Sequence, residues 1–146
     1  MNVLFLDHQG VMRLDEHPSP GKLISFDKEC VNVLNSILIE TNAEIVVSSD
    51  WKRWVSLQEM GDFYISQGVI KKPLAYTHKK ENYIKEILNA QRAAEILDWL
   101  LENNVQKWIA IDDLNMKEYL TNFVFSEGDR GIKGIGIKDE ILNFLL

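Results

Sequence analysis

Short apolar runs that stop abruptly at polar residues recur along this chain, and longer amphipathic stretches separate them. Asn2-Val-Leu-Phe-Leu runs into Asp7, Ala43 to Val47 runs into Ser48-Ser49-Asp50, and Lys107 to Ile111 runs into Asp112-Asp113. Runs of this length, bounded by polar residues or Gly10, suit strands buried on both faces of a parallel sheet. Phe123 to Phe125 reads as a fourth strand and residues 135–137 as a short fifth. Residues 14–25, with Pro18, Pro20 and Gly21, read as an irregular loop.

The intervening stretches have helical periodicity. Asp27 is expected to cap a helix, with Phe26 and Val31 at staple spacing and Val31, Leu34, Ile37 and Leu38 on its apolar face. A helical stretch from about Trp51 to Gln67 follows, then a loop around Pro73. The clearest helix covers 89–104, with Ala93, Ile96, Leu97, Leu100 and Leu101 on one face. Asp139 is expected to cap a terminal helix that buries Ile141, Leu142 and Leu145. Strands alternating with helices predict βαβ units, right-handed crossovers and an α/β domain with a mainly parallel sheet. Neither repeat nor linker is visible, so residues 1–146 read as a single domain.

In such sheets ligands bind beyond the carboxyl ends of the strands. One strand ending in Asp means little, because Asp is common in turns. Three polar strand ends, at Asp7, Ser48-Ser49 and Asp112-Asp113, each separated by a crossover, mark a functional edge.

Composition narrows the class. Apolar residues make up 46% of the chain, as in an ordinary globular domain. No apolar run approaches the roughly 18 to 20 residues of a membrane helix, and Asp7 falls where a signal region would be apolar. The lone Cys30, in a helix with no evident His partner, reads as a small buried hydrophobe. With no internal disulfide possible, a reducing, cytoplasmic setting is expected. The net charge of −6 argues against an extended nucleic-acid surface but leaves room for a local pocket for one phosphate. Gly131, Gly134 and Gly136 lack the strand-to-helix setting of a nucleotide loop. Oligomeric state has no signal.

Carboxylates at neighbouring strand ends, without a Cys or His cluster, suit a hard cation such as magnesium, which shares carboxylates with substrate phosphate. The Ser48 hydroxyl and nearby backbone N–H groups can hydrogen-bond a phosphoryl oxygen. The helix 89–104 leads into the strand at 107, so it should run antiparallel to it and start at the carboxyl edge. Arg92, four residues before Ile96, then leans toward the sheet. Lys85 is a second candidate cation.

These residues carry a resemblance to the haloacid-dehalogenase-like (HAD) superfamily. Val3-Leu4-Phe5-Leu6-Asp7-His8-Gln9-Gly10-Val11 is similar to its first motif, a strand followed by D-x-D-G-x. Glu44-Ile45-Val46-Val47-Ser48 is similar to its second, and Trp108-Ile109-Ala110-Ile111-Asp112-Asp113 to its fourth. Ser-Ser-Asp-Trp-Lys after the second strand and Ile-Leu-Asp-Trp-Leu before the fourth resemble compact members associated with RNA-repair proteins. The resemblance implies a three-layer Rossmann-like fold with minimal or no cap, and a magnesium-dependent phosphatase or phosphotransferase acting on a phosphomonoester or a nucleic-acid end. It assigns Asp7 as nucleophile and metal ligand, the backbone carbonyl of Gln9 to the metal, and Asp112 and Asp113 to the rest of the metal shell. Ser48 and Arg92 would hold the phosphoryl group, with Ser49, Lys85 and Trp51 on the substrate side.

One departure is large: Gln9 stands where the family's general acid and base Asp belongs. An amide cannot exchange a proton near neutral pH, and such assistance is worth roughly 10²- to 10⁴-fold in rate. A module that binds metal and phosphate without turnover is therefore the alternative. A receiver-like signalling domain is disfavoured, because its paired acids follow the first strand. His8 should point away from the face used by Asp7 and Gln9. His17 and His78 read as ordinary surface residues. Trp99 and Trp108 read as core; Trp51 and Trp54, beside Lys52 and Arg53, lie just after Ser48-Ser49-Asp50, where lining the site for base stacking is one reading and ordinary packing the stronger one.

Overall fold

The computed structural model describes residues 1–14, 21–79 and 87–146. The elements run β1 (Asn2–Leu6), α1 (Lys28–Thr41), β2 (Glu44–Val47), a 3-10 turn (Asp50–Arg53) and α2 (Leu57–Ser66). They continue with β3 (Ala75–Tyr76), α3 (Leu88–Glu102), β4 (Lys107–Asp112), β5 (Phe123–Phe125), a second 3-10 turn (Gly131–Lys133) and α4 (Ile137–Leu145). The strands form one sheet in the order β3-β2-β1-β4-β5, with every pairing parallel.

Side chains alternate across this sheet and build a core on each face. Leu4, Leu6, Ile45, Val47, Ile109 and Ile111 meet α1, α2 and α4 through residues such as Leu34, Met60 and Ile141. Val3, Phe5, Val46 and Ala110 meet α3 through Ala93, Ile96 and Trp99. The result is the three-layer α/β architecture expected from the strand pattern. Phe5 is wholly buried, with Trp99 and Trp108 edge-on at 5.6 and 5.8 Å. Among the described residues, no helix is long and apolar enough to cross a membrane.

Local chemistry explains where the elements begin and where expectation failed. Asp27 caps α1, its Oδ2 accepting from the Cys30 N–H at 3.0 Å. Cys30 is fully buried, and burial pushes its thiol up to about 12. The helix expected from Trp51 to Gln67 is instead a 3-10 turn and a separate α2, because Ser56 and Glu59 form a capping box that starts a new helix. Residues 135–137 are not a strand: Gly136 adopts φ +82 and opens α4, so Asp139 lies in the first turn rather than at the cap. The fifth strand is instead Ala75–Tyr76, a two-residue edge too short to give an alternating pattern.

The helix before β4 shows the most instructive difference. Leu101 is 85% exposed and Leu97 is also exposed, while Gln91, Arg92 and Glu95 are buried with Ala93, Ile96 and Trp99. Its inner face is thus part charged. Glu95 meets the Lys52 ammonium at 2.8 Å and Arg53 at 3.3 Å, tying α3 to the turn after β2. Lys52 also donates to Thr77 Oγ1 at 3.0 Å and to the Ser48 carbonyl at 3.4 Å. Burial pushes the Lys52 ammonium down, and Glu95 opposes that shift.

Two stability measurements follow. Phe5→Ala should cost about 3–5 kcal/mol in urea unfolding, and a loss below about 1 kcal/mol would contradict the two-faced core. Glu95→Leu should also cost about 3–5 kcal/mol by stranding the Lys52 charge, whereas Lys52→Met combined with Glu95→Leu should recover most of it. Equal losses in the single and double variants would remove the ion pair as the cause.

Candidate functional site

The strand order reverses direction at β1: β2 lies on one side of it and β4 on the other. The crevice beyond the carboxyl ends of β1 and β4 is therefore the switch point at which open α/β sheets bind ligands. Asp7 follows β1, and Asp112 ends β4 with Asp113 next. Register pairs Leu6 with Ile111, and the Asp7 N–H donates to the Ile111 carbonyl at 3.3 Å, so the acids emerge side by side. One carboxylate oxygen from each of Asp7, Asp112 and Asp113 lies within 4.8 Å of the others.

The turn after Asp7 is tightly specified. The N–H groups of Val11, Met12 and Arg13 all converge on the His8 carbonyl, at 3.1, 2.8 and 3.0 Å. Ser126 Oγ donates to the Gly10 carbonyl at 2.8 Å. Gly10 adopts φ +78, and a Cβ there would come 2.3 Å from Asp113 Oδ2. Only glycine lets the turn close onto the acidic pair.

Arg92, on the first turns of α3, is 6% exposed and reaches into the cluster. Its Nη1 lies 3.1 Å from both Asp112 oxygens and 3.6 Å from Asp7 Oδ1, while Nη2 lies 3.0 Å from Asp50 Oδ2. Asp112 also accepts from the Leu114 N–H at 2.9 Å. Burial raises the Asp7 pKa well above the carboxylate range, the charge of Asp112 raises it further, and Arg92 offsets only part. Burial and Asp112 likewise push Asp113 up to about 6. Burial disfavours the Arg92 charge, but Asp112, Asp7 and Asp50 outweigh it. Three close carboxylates remain incompletely compensated by one guanidinium. An all-oxygen donor set of this kind fits a hard divalent cation.

A cavity of about 220 Å³ opens over this cluster. Asp7, Gln9, Asp113 and Arg92 form its polar part, with Ser49 and Asp50 beside them, and Trp51, Trp54, Leu88 and Leu114 supply apolar walls. Ser48 is 1% exposed and does not line the cavity; its Oγ has no hydrogen-bond partner among the described residues. The Nε of Arg92 is likewise without one. Lys85 and His17 lie outside the described residues.

His8 turns into the aromatic cluster, its Nε2 2.5 Å from Tyr64 Oη and its ring against Phe26 and Trp51. Burial, then the Arg92 charge, push it down to about 3, so it stays neutral and away from the cavity. His78 lies 2.9 Å from Glu102 instead. Lys71 and Lys72 pair away from the cavity, with Glu44 and Asp62 at 3.5 and 3.3 Å.

Asp50 and Glu95 escaped the sequence reading. Asp50 looked like the polar end of a strand, although it positions Arg92 directly. Glu95 is one helical turn from Arg92, and that spacing was the available signal that a charged stripe faces inward.

No curated protein and no solved structure matches the chain. A model of the HAD domain in Swiss Army Knife RNA repair proteins matches residues 3–134, from the strand before Asp7 to beyond β5. With the acidic pair, the reversed strand order and that span in agreement, the chain belongs to the family of HAD domains found in Swiss Army Knife RNA repair proteins.

Proposed function

We propose that this HAD domain is a magnesium-dependent phosphatase or phosphotransferase that uses Asp7 as nucleophile on a phosphomonoester, including the phosphate at a nucleic-acid end. The observation that carries this reading is the meeting of Asp7, Asp112 and Asp113 within 4.8 Å at one sheet edge, with Arg92 among them. The family's description, as a domain of RNA repair proteins, supports the nucleic-acid-end substrate.

Asp7, Asp112, Asp113 and the Gln9 carbonyl would hold the magnesium ion. When bound, the ion supplies charge neutralisation for the phosphoryl oxygens. An Asp7 carboxylate oxygen attacks phosphorus, and the bond from phosphorus to the leaving oxygen breaks. Water then attacks the phosphorus of the aspartyl-phosphate, releasing phosphate and restoring the Asp7 carboxylate. Arg92 lines the cavity, and its Nε has no partner among the described residues, so it offers a donor to the phosphoryl oxygens; the Ser48 hydroxyl, buried behind the cavity wall, would have to be uncovered to join it. Positioning and charge matching do most of the work in such transfers.

Gln9 lines the cavity but cannot protonate the leaving alkoxide or deprotonate water. That one residue favours a second reading, a module that binds metal and phosphate without turning substrate over. Hydrolysis of p-nitrophenyl phosphate separates the two, because its leaving group needs little protonation. For the enzyme, activity should require magnesium, vanish with chelator or Asp7→Asn, and rise with Gln9→Asp. On alkyl phosphates the gain should approach roughly 10²- to 10⁴-fold. No activity in either the native or the Gln9→Asp protein, with magnesium-dependent phosphate binding retained by calorimetry, would instead establish the module. Absence of both activity and phosphate binding would overturn both readings.

A further inference from the structure

The cavity over the acidic cluster has two unlike halves, and the phosphate chemistry accounts for only one. Beside Asp7, Gln9, Arg92 and Asp113 stand two tryptophans and two leucines. We infer that Trp54 is a stacking platform for the flat heterocycle of a terminal nucleotide, so that the ligand is one base-bearing phosphomonoester unit. This rests on the phosphate-site reading above and names its substrate class.

The two tryptophans are not equivalent. Trp51 is 5% exposed and locked among His8, Phe26 and Phe63, at ring separations of 4.8, 6.3 and 6.3 Å. Trp54 is half-buried and stacks on Trp51 at 5.8 Å with 26° between planes. The inner ring thus fixes the outer one, which lines the cavity with its position set before any ligand arrives. A flat ring meeting a pre-positioned aromatic ring loses little conformational freedom on binding. Leu88 and Leu114 add apolar wall to the same cavity.

Charge and size restrict the ligand further. Arg92 is the one cationic residue lining the cavity among the described residues, and it already faces three carboxylates. Lys52 and Arg53, next to the tryptophans in sequence, turn to Glu95. A diphosphate or triphosphate would therefore add charge to a cavity whose described lining offers one cationic side chain beside the proposed magnesium ion. The volume of about 220 Å³ falls below the roughly 300 to 1,000 Å³ of ordinary ligand pockets. A small open cavity of this kind offers a wall for one base beside the phosphate site rather than a groove for an extended strand.

The test compares equilibrium binding of inorganic phosphate, ribose 5-phosphate, adenosine 5′-monophosphate and adenosine, with magnesium present, to the native protein, Trp54→Ala and Trp54→Phe. Far-UV circular dichroism checks that each variant is folded. Stacking on one base should make the nucleotide bind roughly 5- to 100-fold tighter than ribose 5-phosphate. Trp54→Ala should abolish that preference and Trp54→Phe should keep most of it, while binding of inorganic phosphate and ribose 5-phosphate stays unchanged in all three. Equal affinity of the native protein for nucleotide and ribose 5-phosphate overturns the inference, as does a preference that survives in Trp54→Ala. If Trp54→Ala fails to fold, loss of the preference in a folded Trp54→Leu protein supports the inference and its survival overturns it. If the native protein binds neither inorganic phosphate nor ribose 5-phosphate, the phosphate-site reading fails. Adenosine binding that depends on Trp54 would then still support the platform, and its absence would overturn that too.

Discussion

A guanidinium buried among carboxylates holds the functional edge of this domain together. Arg92 comes from α3, Asp7 from the end of β1, Asp112 from the end of β4 and Asp50 from the turn after β2. Without a cation between them, the acids of neighbouring parallel strands would repel one another where burial already disfavours their charge. Arg92 answers that repulsion with a planar fork that meets Asp112, Asp7 and Asp50 at 3.0 to 3.6 Å. Because its partners belong to different elements, the same side chain joins both sides of the switch point.

A second ion pair keeps the first in place. Glu95 lies on the same buried stripe of α3 as Arg92, and the Lys52 and Arg53 it meets come from the 3-10 turn that also presents Asp50. The turn and the helix therefore exchange charges in both directions: an acid of the turn to a base of the helix, and bases of the turn to an acid of the helix. Lys52 further hydrogen-bonds the Ser48 carbonyl, linking this pairing to the end of β2. Buried pairs of this kind are weak evidence for stability, but they strongly constrain geometry. That geometry is what a site for phosphoryl groups requires.

The site is asymmetric about this charged centre. Aromatic residues from the turn after β2 stack outward from the core, with His8 neutral and bonded to Tyr64 at their base. Gln9, an amide, stands on the cavity wall at the position of the motif's second Asp, beside the acids and the one cation of the described lining. Under the proposed function, binding and proton transfer would fall to different residues, so that metal and phosphate affinity would not by itself imply turnover.

The parallel α/β architecture, the four buried strands β1, β2, β4 and β5, the Asp27 cap and the sidedness of His8 were legible in the sequence. Each follows from a short-range rule: apolar runs bury, side chains alternate, and a capping side chain bonds the backbone three residues on. The acids at the strand ends and the placing of Arg92 at the carboxyl edge were legible for the same reason, since strand direction and helix direction set them. What was not legible depended on partners distant in the chain. Only folding could reveal that α3 buries Arg92 and Glu95 while Leu101 faces solvent, because a charged residue is buried only where an opposite charge from another element awaits it. The edge strand Ala75–Tyr76 exists because β2 offers its free backbone groups, and two residues carry no pattern of their own. The difference between a locked Trp51 and a cavity-lining Trp54 likewise arises from what packs around each ring, which the tertiary structure alone decides.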